Sequence, residues 1–326
     1  MLPYNYINGA MKGLTDIPGI RVGHISDFRA ITGCTAILCE GGAVGGVDLR
    51  GSASGTEEIA TLDPLHVTPQ IHGILLAGGS AFGLEAASGV RRYLESKGVG
   101  FPTGVAKVPI VPAAILFDLA IGRADVRPDA AMGEAAAMAA NADPVAEGAV
   151  GAGTGATVGK IFGMKQAMKS GIGSFTVMLP RGVLVTSLVA VNALGDVRDP
   201  ATGKLIAGAR KAPGSRELAG TEEVMKAGGP AGGFGRTNTT LAVVATNARL
   251  TKVQATKLAQ QAGLGMARTI YPVNTMSDGD IVFALSHGDH QADINVLGVA
   301  AAEAVVQAIV RAVKLSKSLG GVPGLG

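Results

Sequence analysis

Five short runs in this chain are apolar at nearly every position: Gly73–Ala77, Ser174–Leu179, Val183–Val191, Thr240–Thr246 and Ile281–Ser286. A strand with one face in water alternates apolar and polar residues, whereas a strand covered on both faces need not. These Val-, Ile-, Leu- and Ala-rich runs therefore read as buried strands. Between them lie helix-like runs over Gly83–Ser96, Pro128–Ala140, Lys252–Met266 and Val296–Leu319. The third opens on a capping box, Thr251 followed three residues later by Gln254. Strands that come in clusters with helices between them predict an α/β (α+β) chain, with sheets packed face to face and helices outside.

Composition narrows the function classes. Charged residues make up 16% of the chain, and the net charge of +3 is too small to mark a nucleic-acid surface. Aromatic content of 4% with no Trp argues against base-stacking platforms. The 49 glycines are about twice the usual share. They follow no Gly-X-Y period and lie within apolar runs, which excludes collagen and disorder. Mean hydropathy is positive, but no uninterrupted apolar stretch reaches the roughly 20 residues of a spanning helix. Met1 to Gly13 has no apolar core of a signal peptide, so a cytoplasmic protein without a membrane partner is expected. Cys34 and Cys39 are five residues apart in a strand-like stretch. Odd spacing sends them to opposite faces, where they do not bridge.

Several motifs fail on their own spacing. Gly151 to Lys160 suggests a phosphate loop, but Thr154 stands where the first glycine belongs and Ile161 where a Ser or Thr would hold a metal. Gly78-Gly79-Ser80-Ala81-Phe82-Gly83 suggests a nucleophile elbow, but Phe82 occupies the second glycine position. His287, Asp289, His290 and Asp293 lack a helical His-Glu-x-x-His pattern and read as polar loop residues. His24 and His72 read as ordinary polar positions.

One constellation remains. From Gly228 to Gly235 the chain carries five glycines (Gly228, Gly229, Gly232, Gly233 and Gly235), then runs through Asn238 into the strand-like Thr240–Thr246. It reads as a linker before a strand, or as a scissile loop. A Thr hydroxyl is a weak nucleophile, and no motif places a catalytic His beside Thr239. An N-terminal Thr supplies its own base, because its α-amine titrates near 7.7–8.0. That amine exists only once the Asn238–Thr239 bond is cut. Asp278 and Asp280, two apart before a strand, point the same way and could orient the hydroxyl and hold the ammonium. Asp-Gly-Asp is also a good turn.

With these residues in view, the chain resembles the DmpA-type aminopeptidases. These self-processing N-terminal-nucleophile hydrolases include β-peptidyl aminopeptidases and the nylon-oligomer hydrolase. The resemblance spans nearly the whole chain. It rests on Leu14-Thr-Asp-Ile-Pro-Gly-Ile-Arg-Val-Gly-His24, Thr32-Gly-Cys-Thr35, Val47-Asp-Leu-Arg-Gly51 and Gly78-Gly-Ser-Ala-Phe-Gly-Leu-Glu-Ala86. It continues through Arg127-Pro-Asp-Ala-Ala-Met-Gly133, Asn238-Thr-Thr-Leu-Ala-Val-Val-Ala-Thr-Asn247 and Asp278-Gly-Asp280.

The resemblance implies a four-layer αββα sandwich, one domain over 1–326, self-cleaved into 1–238 and 239–326. It implies Thr239 as nucleophile in both self-cleavage and turnover. Asp278 and Asp280 match the acidic pair of the nylon-oligomer hydrolase; the β-aminopeptidases carry Ser and Glu there. Asn192 matches an oxyanion-donating asparagine, and Lys160 a lysine near the nucleophile. Phe117 stands where several members carry an active-site Tyr. No metal or organic cofactor is implied, and a homo-oligomer of αβ units, such as a tetramer, is. The expected activity is an aminopeptidase or amidase on short peptides, amides or esters, or an endo-acting hydrolase of 6-aminohexanoate oligomers. The alternatives are an acyltransferase like the ornithine acetyltransferases and a non-enzymatic small-molecule binding protein on the same scaffold.

Overall fold

A computed structural model describes residues 11–229 and 238–326. Of the glycine-rich stretch before Thr239, Gly232, Gly233 and Gly235 lie outside the described residues. The strands of the main sheet are β1 (Arg21–Asp27), β2 (Thr32–Leu49), β3 (Thr56–Glu57), β4 (Ile71–Ala77), β5 (Ala113–Ile115), β6 (Ile172–Met178), β7 (Leu184–Asn192), β8 (Thr239–Ala248) and β9 (Ile281–His290). Their order is β6–β7–β8–β9–β2–β4–β5–β3, with β1 paired to β2. The helices are α1 (Ala86–Ser96), α2 (Ala130–Met138), α3 (Thr221–Lys226), α4 (Lys252–Thr269) and α5 (Ile294–Lys314).

All five apolar runs are strands, and three separate cores explain why they are apolar on both faces. Leu241, Val243 and Ala245 of β8 point into a central core with Ile37, Ile74, Leu76, Leu188 and Phe283. Their neighbours Ala242 and Val244 point the other way, onto Leu258 and Met266 of α4 and Val305 and Ile309 of α5. A third core joins Ala36, Leu38 and Leu75 to Val90 and Leu94 of α1 and Ala136 of α2. The layers are helix, sheet, sheet, helix. Each fully buried Val or Leu contributes about 1.5–3 kcal/mol, so a strand interior to this stack gains on both faces. The odd spacing of Cys34 and Cys39 does separate them: Cys34 lies in the outer core with α1 and α2, Cys39 in the central core, and both are free thiols.

The two sheets are one hydrogen-bonded surface, which the sequence does not announce. β2 is 18 residues long, against the five-residue run visible in the sequence. Its first part pairs with β1 and β4, and Val44–Leu49 pairs with β9. The register shifts between Leu38 and Ala43, where Gly42 takes φ +82°. The second half of β2 is rich in glycine because other chain segments lie directly on it. A Cβ at Gly46 would overlap the backbone of Ala255 and Thr256 in α4.

Helix ends differ from expectation by a few residues. The capping box of Thr251 and Gln254 is formed. A 3-10 turn, Ser80–Glu85, precedes α1. α5 starts at Ile294, capped by the Asp293 carboxylate, and stops at Lys314 rather than Leu319. Among the described residues α5 is long and apolar enough to cross a membrane; Leu297, Ala301, Val305 and Ala308 place its apolar side in the core beneath β6 and β7.

The close approach at Gly46 is testable. Gly46→Ala is expected to destabilise the protein by about 1–3 kcal/mol, the usual cost of overpacking against a backbone that must shift. Urea denaturation measures it, and an unchanged midpoint would contradict this packing.

Candidate active site

Three strand ends converge at one edge of the sandwich. Asn192, the last residue of β7, pairs with Thr239, the first residue of β8. On the other side Asn238 forms a parallel bridge with Asp278, just before β9. Alternation sends the Thr239 side chain to the same face as Leu241 and Thr240 to the opposite one. Thr239 is 2% exposed, and Asp278 and Asp280 are each 1% exposed. Asn192, Thr239, Asp278 and Asp280 are therefore brought together, although up to 88 positions separate them.

The Asn238–Thr239 bond sits at the centre. Thr239 Oγ1 donates to the Asn238 carbonyl oxygen at 2.5 Å, and the Gly279 N–H donates to the same oxygen at 2.8 Å. The Asn238 side-chain amide donates to the Ser277 carbonyl at 3.1 Å.

The acidic pair surrounds this bond but is occupied by backbone amides. Asp280 Oδ1 accepts the Thr240 N–H at 2.6 Å and Oδ2 accepts Asn274 N–H at 2.9 Å. Asp278 Oδ1 accepts Leu194 N–H at 3.3 Å, and its Oδ2 accepts the N–H and hydroxyl of Thr275. In the intact chain these carboxylates hold the segments on either side of Thr239, and the hydroxyl itself lies on the Asn238 carbonyl. Burial, reinforced by the neighbouring Asp278, pushes the Asp280 carboxyl up from 3.8 to about 7.

Lys160, discarded as part of a phosphate loop, ends against Asn192. Its Nζ donates to Asn192 O at 2.8 Å and to Asn192 Oδ1 at 2.7 Å. Desolvation pulls its pKa down to about 7, against the fields of Asp278, Asp280 and Asp118 that raise it. Asn192 is fully buried; its Oδ1 also accepts Thr157 N–H at 3.1 Å, and its Nδ2 donates to Phe117 O at 3.0 Å. Phe117, Asp118, Ile121, Thr157, Lys160 and Met164 line a small cleft of about 10 Å³ beside Asn192. Phe117 thus meets Asn192 through its carbonyl.

Two buried titratable groups carry no sequence signal. Asp118 accepts Gly79 N–H and Thr32 Oγ1, each at 2.7 Å, and burial raises it to about 6. Its bond to Gly79 explains the Gly78-Gly79 turn as structural. Lys169 is completely buried and donates to the carbonyls of Gly153, Ala156 and Ser170; burial lowers it to about 7. Three of the remaining polar candidates are hydrogen-bonded elsewhere in the fold. His24 Nδ1 meets Thr35 Oγ1, His72 Nδ1 accepts Ile110 N–H, and His287 Nδ1 meets Gly42 O.

The Thr239 hydroxyl thus lies buried on the carbonyl of its own upstream peptide bond. Residues 12–325 match Peptidase family S58. The chain belongs to that family. An uncharacterized aminopeptidase of Mycobacterium tuberculosis is 38% identical over 345 residues, covering 96% of both chains. A 6-aminohexanoate-oligomer endohydrolase of Kocuria sp. is 29% identical over 318 residues, covering 92% of this chain and 85% of that one. Among solved structures, a Burkholderia sp. beta-aminopeptidase superposes with a TM-score of 0.69 at 25% identity, covering 98% of this chain and 92% of that chain. The L-aminopeptidase D-Ala-esterase/amidase of Ochrobactrum anthropi, described as a variant of the Ntn-hydrolase fold, gives 0.72 at 20% identity, covering 99% and 91%. As a member of this peptidase family, the chain is an amide-bond hydrolase.

The raised Asp280 pKa gives a signed pH effect. Its stabilising contribution is full below about pH 4 and is lost as pH rises through about 7, because the folded state holds the proton longer than the unfolded one. Asn cannot ionise. The melting temperature of Asp280→Asn relative to the parent is therefore expected to improve by a few degrees between pH 5 and pH 8. A gap independent of pH would contradict a buried, proton-holding Asp280.

Proposed function

We propose that this S58 hydrolase activates itself by cleaving between Asn238 and Thr239 and then uses Thr239 as its N-terminal nucleophile. The observation that carries this reading is the Thr239 hydroxyl on the carbonyl of Asn238, at the buried entry of a central strand. Cleavage yields 1–238 and 239–326 as two chains of one fold. In turnover, Thr239 Oγ attacks an amide carbonyl while its proton passes to the new α-amine. Asn192 Nδ2 and backbone N–H groups receive the oxyanion, an interaction whose loss costs about 2.7–4 kcal/mol. The ammonium then protonates the leaving amine, and water releases the acyl group. Lys160, Asp278 and Asp280 set the field around that amine.

The proposed substrates are short peptides and amino-acid amides, in line with the aminopeptidase relatives. A second class, ω-amino-acid oligomers such as 6-aminohexanoate chains, is favoured by the endohydrolase relative together with Asp278, Asp280 and Lys160. We place the enzyme in the cytoplasm as a homo-oligomer of αβ units, a tetramer by its resemblance. A hydrolysis panel of α-, β- and ω-amino amides with quantified amine release separates the substrate classes. Release of amine without an added acceptor separates a hydrolase from an acyltransferase.

Dividing 32.6 kDa by residue count gives fragments of about 24 and 9 kDa on a denaturing gel, the smaller beginning Thr-Thr-Leu-Ala. Thr239→Ala is expected to abolish both processing and turnover and Thr239→Ser to keep part of each, with Thr240→Ala as the control on the opposite face. A fully active protein that stays intact would overturn the proposal. Asp278→Asn and Asp280→Asn are expected to fold yet lose at least ~100-fold in rate; near-normal rates per folded molecule would remove the acidic pair from the mechanism.

A further inference from the structure

Among the described residues, two hydrogen bonds reach the Asn238 carbonyl oxygen. One comes from the attacking hydroxyl, and the other from the main-chain N–H of Gly279. Asn192, the oxyanion donor assigned to turnover, donates through Nδ2 to Phe117 O. We infer that the Gly279 N–H is the oxyanion donor for self-cleavage, so that processing and turnover draw on different donors. This rests on the proposed cleavage before Thr239.

The chemistry needs a donor at this oxygen twice. As Thr239 Oγ bonds to the Asn238 carbonyl carbon, the C=O electron pair moves onto oxygen. The pair then returns as the C–N bond breaks, and the hydroxyl proton ends on the Thr239 nitrogen. Water next adds to the resulting ester, charging the same oxygen again. The C–Oγ bond breaks with one water proton returned to Oγ, leaving a carboxylic acid at Asn238. A donor already bonded to that oxygen in the intact chain strengthens as charge develops and needs no reorganisation.

Gly279 is held for this task from both sides. Ala53 N–H donates to Asp278 O at 2.9 Å, and the N–H groups of Arg50 and Gly51 donate to Asp280 O at 3.2 and 3.0 Å. The carboxylates of Asp278 and Asp280 pin the same turn to Leu194, Thr275, Asn274 and Thr240. The peptide bearing the donor is therefore fixed by its flanking carbonyls and side chains. The position also demands glycine: a Cβ there would stand 2.8 Å from Thr239 Oγ1 and 2.7 Å from Ala53 O, pressing on the nucleophile itself. Asp278 and Asp280 become positioning residues for the donor in the precursor, before any ammonium exists for them to hold.

The alternative is an ordinary bridge hydrogen bond between Asn238 and Gly279 with no part in the chemistry. Replacing Gly279 by glycolate turns the 278–279 amide into an ester, which deletes the N–H and adds no Cβ. In the full chain the first-order rate of self-cleavage is expected to fall at least ~100-fold, the scale for one lost oxyanion donor. Amide turnover by the chains that finish processing is expected to fall by a much smaller factor, because Asn192 Nδ2 remains as its donor. A folded ester-bearing precursor that processes at the parental rate would overturn the inference. Thr239→Ala run in parallel isolates the underlying reading: cleavage in that variant would sink self-processing by Thr239 itself. Should the ester chain fail to fold, hydrogen exchange on the intact Thr239→Ala chain decides. A protected Gly279 amide is expected, and exchange as fast as an exposed loop overturns the inference.

Discussion

The backbone pairing that seats the first residues of β8 between β7 and β9 is the constraint on which the site depends. Thr239 pairs with Asn192 on one side, and Asn238 bridges to the Asp278 turn on the other. The hydroxyl, the bond it lies on and the donor facing that bond are thereby fixed by strand register. A strand register is a stiff reference, because a slip of one residue would exchange Thr239 for Thr240 and reverse every side chain of β8. Two cores resist that slip, since Leu241 and Val243 fill the central layer while Ala242 and Val244 meet the helices. The same packing that stabilises the fold thus aims the Thr239 hydroxyl.

Electrostatics adds a second constraint. Asp280, Lys160, Asp118 and Lys169 are titratable groups with little water around them, and burial moves each toward neutrality, to between about 6 and 7. Carboxylates shifted up and lysines shifted down exchange protons near physiological pH at small cost. Such a site suits chemistry in which a proton leaves a hydroxyl and reaches a nitrogen. Main-chain groups carry much of the compensation: the two acidic residues are satisfied by N–H groups, and Lys169 by three carbonyls.

Much of this was legible in the sequence, for identifiable reasons. The five strands were visible because burial on both faces forbids polar residues, and the start of α4 because its cap is local. β2 was mostly hidden. Its second half carries glycines where α4 lies on the strand, and glycine at such contacts looks like loop. Thr239, Asp278 and Asp280 were found by a chemical argument about N-terminal threonine together with a resemblance to known sequences. The meeting of Lys160 with Asn192 is a product of the fold, because nothing local links residues 32 positions apart. Asp118 and Lys169 gave no signal, since most of their partners, Gly79 and Thr32 for the one and Gly153 and Ala156 for the other, lie more than ten residues away. Phe117 contributes a carbonyl to the site, which no side-chain motif encodes. The acidic pair was read as facing the hydroxyl; in the intact chain it holds the turn and strand around it.

The central claim is that the enzyme's base is created by the same bond cleavage that exposes its nucleophile. Freshly translated full-length chain, followed by gel and by amide hydrolysis in the same samples, tests it most directly. Activity is predicted to rise in strict proportion to the cleaved fraction and to extrapolate to zero for intact chain. Full amide turnover while the chain is still intact would contradict it.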